Sequence, residues 1–276
     1  MSQTSYPALK SLSQNFLRNE AKARQLVNQL PLTSSDTVVE LGAGRGAMTF
    51  LLAEKASRIL AVEIDAGHSE ELKEKVSETG RKNIEVLHQD LLKASWDEWY
   101  RRLNGPFIVV GNLPYHISTP ILFKIIENRP IIKAAYVMLQ KEVADRLLAP
   151  SGTKEYGVIS ILIGYYARIQ ALMQLKPGSF FPRPKVSSTF VEISFRQELT
   201  PKIEDEDLFR WVVRSAFAQR RKQIKNALTA DSRFPTPLIA KALELNRTNP
   251  QNRGETLTVG QFVNLSNILS ALIKIK

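Results

Sequence analysis

Residues 110 to 118 read VGNLPYHIS, directly after the apolar run PFIVV. An amide, a proline-stiffened turn and an aromatic ring therefore stand where a buried strand should end. These types suit methylation of an exocyclic amine on a nucleobase. An adenine amino group is a poor nucleophile, because its lone pair is delocalised into the ring. Two acceptors, the side-chain oxygen of Asn112 and the carbonyl of Leu113, can hold its two hydrogens and favour a pyramidal nitrogen. Pro114 fixes φ and has no N–H, so the turn keeps that carbonyl in the site. Tyr115 offers a face on which an extruded base can stack. If the methyl donor is already electrophilic, catalysis is mainly positioning for in-line attack, and no general base is required. A plain strand-to-helix turn also uses Asn and Pro.

A second group of residues lies upstream. VVELGAGRG places Gly42, Gly44 and Gly46 just past a short apolar strand. Glycine there permits positive φ and close approach of a ligand to the backbone. Glu63 ends the next strand, where a carboxylate can accept both hydroxyls of a ribose. Asp90, in HQDLL, ends a third and can take an adenine amino group or cap a turn. Taken alone, the loop fits S-adenosylmethionine, a dinucleotide or a structural turn, since Gly42-x-Gly44-x-x-Ala47 also matches the dinucleotide pattern. The Asn112–Tyr115 tetrad favours the first, because hydride transfer has no use for it.

Several elements must position these groups. NEAKARQLVNQL reads as a helix capped by Asn19. DTVVEL, RILAVEID, NIEVLHQD, PFIVVGN and AAYVMLQ read as strands, and HSEELKEKV and PILFKIIEN as helices. Near-continuously apolar strands alternating with helices predict an α/β fold with a doubly wound, mostly parallel sheet. In such sheets ligands bind beyond the carboxyl ends of the strands, where strand order reverses. From Asp207 only helical periods remain, over DLFRWVVRSAFAQRRKQIKNAL, then PLIAKALEL, then VGQFVNLSNILSALI. The predicted division is residues 1–200 and a small all-helical domain over 201–276.

Composition narrows the classes further. Absence of cysteine in the 276 residues excludes disulfides, thiolate metal sites and cysteine nucleophiles. Three scattered histidines argue against a histidine-built metal site. No apolar run approaches the roughly 20 residues of a bilayer span, and the N-terminus lacks the build of a secretory signal. A soluble, cytoplasmic, metal-free protein is the expectation. The net charge is +11, and between Arg210 and Lys225 there are six basic residues and no acidic one. Clustered cations without acids suit phosphate contact through counterion release, although a solvated basic face looks the same in sequence.

Together these segments resemble the ribosomal RNA adenine N6,N6-dimethyltransferases, nearly end to end. The likeness begins with KSLSQNFL at residues 10–17, with Ser13 where that family usually has glycine. It continues through ELGAGRGAMT, AVEID, HQDLL, NLPYHIS, FFPRPKVSSTFV, FAQRRKQIKNAL and RGETLTVGQF. The resemblance implies a Rossmann-like, class I S-adenosylmethionine-dependent methyltransferase with a helical RNA-recognition domain. It implies that Asn15 and Leu17 contact the methionine end of the cofactor, with Gly42 and Gly44 at the loop. Glu63 would hold the ribose, Asp90 the adenine, and Asn112 would face both cofactor and target nitrogen. Leu113 would complete the acceptor pair, and Tyr115 and Phe180 would sandwich the target adenine. Arg220, Arg221, Lys222 and Lys225 would meet RNA. The implied reaction is dimethylation of two adjacent adenosines near the 3′ end of 16S rRNA during small-subunit biogenesis, by a monomer. Relatives that modify large-subunit rRNA, or that bind nucleic acid without catalysis, are the alternatives.

Overall fold

The computed structural model of the chain describes residues 15–274. Part of the KSLSQNFL stretch, residues 10–14, lies outside the described residues. In chain order the elements begin with β1 (Phe16–Leu17), α1 (Glu20–Asn28), β2 (Thr37–Leu41), α2 (Thr49–Ala53), β3 (Arg58–Glu63) and α3 (Ala66–Thr79). Next come β4 (Ile84–His88), α4 (Trp96–Leu103), β5 (Phe107–Asn112), α5 (Ser118–Glu127), β6 (Ile132–Gln140), α6 (Lys141–Leu148) and α7 (Val158–Gly164). The remainder is β7 (Ala167–Leu175), β8 (Phe180–Phe181), β9 (Ser188–Phe195), α8 (Glu206–Ala218), α9 (Ile224–Thr229), α10 (Thr236–Leu245) and α11 (Val259–Lys274).

The main sheet has the order β4-β3-β2-β5-β6-β9-β7. Pairs from β4 through β6 are parallel, and β9 runs antiparallel to β6. Apolar runs explain the parallel part. Val38, Val39, Leu60, Val62, Val109 and Val110 are all fully buried, as strands covered on both faces must be. Strand order reverses between β2 and β5, because β3 and β4 continue to one side of β2 while β5 lies on the other. Leu41 pairs with Gly111 at that point. A Cβ on Gly111 would lie 2.9 Å from the Leu41 carbonyl oxygen, so only glycine lets the two strands close up just below the crevice. Asn19 caps α1 as expected, its side chain accepting from the Lys22 amide at 3.1 Å.

The chain divides into two compact units, one of residues up to Ala144 with Arg168–Phe195, the other of Asp145–Ala167 with Arg196–Lys276. The sequence places its only boundary near 200, but Asp145–Ala167 packs with the C-terminal helices. Tyr156 meets Phe217 edge-on at 6.3 Å, and Tyr165 meets Phe209 at 5.8 Å. The VISILI run of α7 is buried on most sides and needs that helical core. One further expectation is corrected. The helical period read through FAQRRKQIKNAL is broken, with α8 ending at Ala218 and α9 starting at Ile224. The Ile224 amide is taken by the Asn252 carbonyl at 2.6 Å instead of a helical partner. The break lets Ile224 and Leu228 reach the core, where both are fully buried.

Candidate active site

Four strand ends deliver the polar groups. Reading along the sheet, Asp90 follows β4, Glu63 ends β3, Gly42 follows β2 and Asn112 ends β5. All four line one cavity of ≈ 210 Å³, together with Asn15, Phe16 and residues Leu113 to Ile117. A second cavity of ≈ 490 Å³ shares Phe16, Gly42 and Asn112 with it and is lined also by Leu17, Arg18, Glu40, Met48 and Phe181. The position is the one expected for a ligand in an open α/β sheet, at the reversal of strand order.

The glycine loop is held by one buried acid. Glu63 is 3% exposed, and its Oε2 accepts the Gly44 amide at 2.8 Å while Oε1 accepts the Asp65 amide at 2.8 Å. Each carboxylate oxygen retains further acceptor capacity. Gly44 adopts φ +54, and a Cβ there would lie 2.9 Å from the Phe16 ring. Phe16 in turn meets His68 edge-on at 4.9 Å. Thus the N-terminal strand closes onto the loop, and Arg18 secures it by donating its amide to the Ser179 carbonyl at 3.0 Å.

Asn112 is oriented from the same segment. Its Nδ2 donates to the Asn15 carbonyl at 2.7 Å. Only the amide nitrogen can donate, so Oδ1 is the acceptor left for a ligand. Leu113 buries its side chain to 1% exposure, and Pro114 has φ −56, so the turn is fixed on both sides of the Leu113 carbonyl. Tyr115 is half-buried, and its hydroxyl shares a 2.8 Å hydrogen bond with Ser188 Oγ, a fully buried group on β9. Burial pushes the Tyr115 phenol above its ordinary range, the Ser188 bond opposing.

The remaining sequence candidates divide. Asp90 uses Oδ1 to accept the Leu92 amide at 2.8 Å, and its carbonyl accepts Lys93 and Ala94 amides. It therefore shapes its own turn as well as lining the cavity. Leu17 is buried and pairs with Phe180 across the β1–β8 ladder. Phe180 is only 3% exposed and belongs to the apolar core, whereas its neighbour Phe181 is 63% exposed and lines the second cavity. In the helical unit Arg221 and Lys222 are exposed and Lys225 is half-buried. Arg220 is tied down, its guanidinium donating to the carbonyls of Lys154 at 2.5 Å and Tyr156 at 3.1 Å.

Some site residues escaped the sequence reading. Glu40 is 1% exposed, and burial pushes its carboxyl up to about 8 against the Thr49 hydroxyl bond at 2.5 Å, with Glu63 adding repulsion. Its signal was an acid inside VVEL, immediately before the glycines. Lys124 donates to the Leu92 and Ala94 carbonyls at 2.8 and 2.6 Å, and Trp99 Nε1 donates to Gln89 at 3.0 Å. The acceptors of these two side chains lie on either side of Asp90 and fasten its turn.

The arrangement finds its counterparts among known proteins. A family model described as ribosomal RNA adenine dimethylase matches residues 8–271. Ribosomal RNA small subunit methyltransferase A of Geobacillus sp. (strain WCH70) is 40% identical over 273 residues, covering 96% of this chain and 92% of that protein. The protein of the same name from Alkaliphilus oremlandii (strain OhILAs) is 37% identical, covering 95% and 91%. Among solved structures, a dimethyladenosine transferase from Plasmodium falciparum is similar with TM-score 0.78 at 26% identity, covering 91% of this chain and 95% of that one. The 23S rRNA methyltransferase ErmE is similar with TM-score 0.69 at 25% identity, covering 93% and 100%.

Two outcomes are expected from this geometry. Glu40 binds its proton more tightly folded than unfolded, so its contribution to stability is complete below its ordinary value of 4.5 and is lost as pH rises through about 8. Glu40→Gln should remove that decline, worth at most about 1.4 kcal/mol per pH unit; thermal unfolding across this range checks it, and an unchanged slope refutes it. Tyr115→Phe orphans the buried Ser188 hydroxyl and should cost about 1 kcal/mol of stability, whereas adding Ser188→Ala should restore most of it. A double-mutant cycle with no coupling would show that the bond does not hold the ring.

Proposed function

The chain belongs to the ribosomal RNA adenine dimethylase family, and on that premise we propose the following chemistry for its site. The protein is an rRNA adenine methyltransferase that uses S-adenosylmethionine. Its substrates are the N6 amino groups of two adjacent adenosines near the 3′ end of 16S rRNA, in the small subunit during assembly. The observation that carries the reading is the pinned amide of Asn112, which presents an acceptor at the reversal point of the sheet.

The residues present fit this cofactor better than a dinucleotide. Two buried acids, Glu40 and Glu63, line the crevice, and the Gly44 amide is already spent on Glu63. A pyrophosphate would lack that donor and meet the acceptor oxygens of Glu63. Glu40 holds its proton up to about pH 8 and adds no charge at neutral pH. When bound, S-adenosylmethionine supplies a methyl that is electrophilic without further activation. Asn15 and Leu17 would contact its methionine end, Gly42 would approach it closely, Glu63 would accept the ribose hydroxyls and Asp90 the adenine amino group.

The chain's remaining work is positioning. Asn112 Oδ1 and the Leu113 carbonyl would accept the two hydrogens of the target amine, turning its lone pair toward the methyl. Tyr115 would stack the extruded base, with Ser188 holding the ring upright. Phe180, expected on the other face of the base, has its ring packed in the apolar core and lines neither cavity. The nitrogen loses its proton to water after transfer, so no tuned base is needed. Phosphate contacts would come from Arg221, Lys222 and Lys225, with Arg220 chiefly shaping the turn that presents them. The catalytic work is assigned to the first unit and RNA recognition to the helical one. Among the described residues no helix is long and apolar enough to cross a membrane, and no cluster of three metal-ligating side chains occurs. A cytoplasmic, monomeric, metal-independent enzyme is the reading adopted.

Asn112→Ala should abolish N6-methylation of small subunits lacking the modification, as read by mass spectrometry of the rRNA. Binding to RNA should survive, because affinity rests on phosphate contacts elsewhere. Methylated adenosine at wild-type levels would sink the proposed role. A separate pair of variants divides the basic turn. Replacing Arg221 and Lys222 with Ala should lower the slope of log affinity against log salt by at most ~0.9 per lost phosphate contact, without changing the melting temperature. Arg220→Ala should lower the melting temperature, since it orphans two carbonyls; the reverse pattern would exchange these roles.

A further inference from the structure

A cluster outside the residues discussed so far stands on α8 and the turn that follows α9. Trp211 is half-buried, whereas Trp96 and Trp99 are each 1% exposed. Its indole N–H donates to Asp231 Oδ2 at 2.7 Å, and Asp231 Oδ1 accepts the Arg233 amide at 3.0 Å. One carboxylate therefore fixes both the ring and the turn that carries Arg233. The Arg233 guanidinium carbon lies 5.2 Å from the centre of the Trp211 ring and 5.3 Å from that of Phe234. The two rings meet edge-to-face at 5.0 Å and 87°.

Arg233 is exposed, and among the described residues its guanidinium makes no ion pair and no hydrogen bond. The same holds for Arg214, one turn along α8 from Trp211, and the half-buried Arg210 is likewise without an ion pair. Asp231 is engaged by the indole and by a backbone amide. The guanidinium is thus held against two aromatic rings with its donors free for an acceptor. Arginine's planar fork matches a phosphate bidentately, and unpaired RNA bases stack on aromatic rings and on arginine planes alike.

We propose that Trp211, Arg233 and Phe234, with Arg214 beside them, form a binding site for a phosphodiester-linked nucleotide of single-stranded RNA. Arg233 takes the phosphate, and the base stacks on the arginine–indole platform. This rests on the reading of the chain as an RNA-modifying enzyme, and adds a base-stacking contact to the phosphate contacts assigned to Arg221, Lys222 and Lys225.

Trp211 reports on its own site, because the other two tryptophans are buried. Titrating the full chain with a short single-stranded oligoribonucleotide should quench tryptophan fluorescence, saturably and less at high salt. Trp211→Leu should abolish the quenching and weaken binding by about fivefold or more, the effect of losing one stacked base. Arg233→Gln, at an exposed position that folding tolerates, should weaken binding and lower the salt slope by at most ~0.7 for a single strand. Unchanged affinity and slope in Arg233→Gln would overturn the proposal. So would weakened binding to whole small subunits with unaltered binding to naked rRNA, which would assign the surface to a ribosomal protein. Methyl transfer by the wild-type chain is measured alongside. If it proceeds while the variants bind normally, only this site fails; if it is absent while quenching persists, the enzymatic reading fails and the RNA site stands.

Discussion

The hydrogen bond from Asn112 Nδ2 to the Asn15 carbonyl decides which atom of the amide faces a ligand, and much of the site is arranged to preserve it. Asn15 can offer that carbonyl only because the residues after it are anchored. Phe16 and Leu17 pair with Phe181 and Phe180, the Arg18 amide bonds Ser179, and the Phe16 ring covers Gly44. A side chain at position 44 would push the ring away and with it the strand. The glycine is thus required as much for the closure of the N-terminal segment as for its own backbone conformation.

Charged groups are distributed unevenly along the chain. At the crevice Glu63 and Asp90 stand at strand ends and Glu40 lies one residue before the end of β2, with Arg18, Arg45 and His116 also lining the two cavities. Glu63 is kept useful by two backbone amides, and Glu40 is kept in place by Thr49. In the helical unit the stretch from Arg210 to Lys225 carries arginines and lysines and no acid. Screening over a Debye length of roughly 8–10 Å limits what surface charges feel, whereas buried groups are screened less.

The turns that line the crevice are fastened by side chains from elsewhere in the chain. Ser188 holds Tyr115 by its hydroxyl, and Lys124 with Trp99 holds the Asp90 turn. Arg220 does the same for the segment around Lys154. Such supports convert loop residues, which are intrinsically mobile, into groups held near productive geometry.

Local pattern was sufficient for much of this. Continuous apolar runs marked the five parallel strands, Asn19 marked a helix start, and the glycines, Glu63, Asp90 and Asn112 stood at strand ends because a strand's last residue is visible from its neighbours. What depended on distant partners was not legible. Ser188 lies 73 residues from Tyr115, Asn15 lies 97 from Asn112, and Lys154 lies 66 from Arg220. A run of arginines reads as one basic face until the fold spends Arg220 on two carbonyls. The resemblance singles out Phe180 of the FF pair, but the β1–β8 ladder buries Phe180 and exposes Phe181. Periodicity carried helical spacing through 219–223 until a carbonyl from Asn252 took the amide of Ile224. Hydrophobic period is a property of neighbours in sequence, whereas the partner of a buried polar group and the face a side chain turns to solvent are set only when remote segments meet.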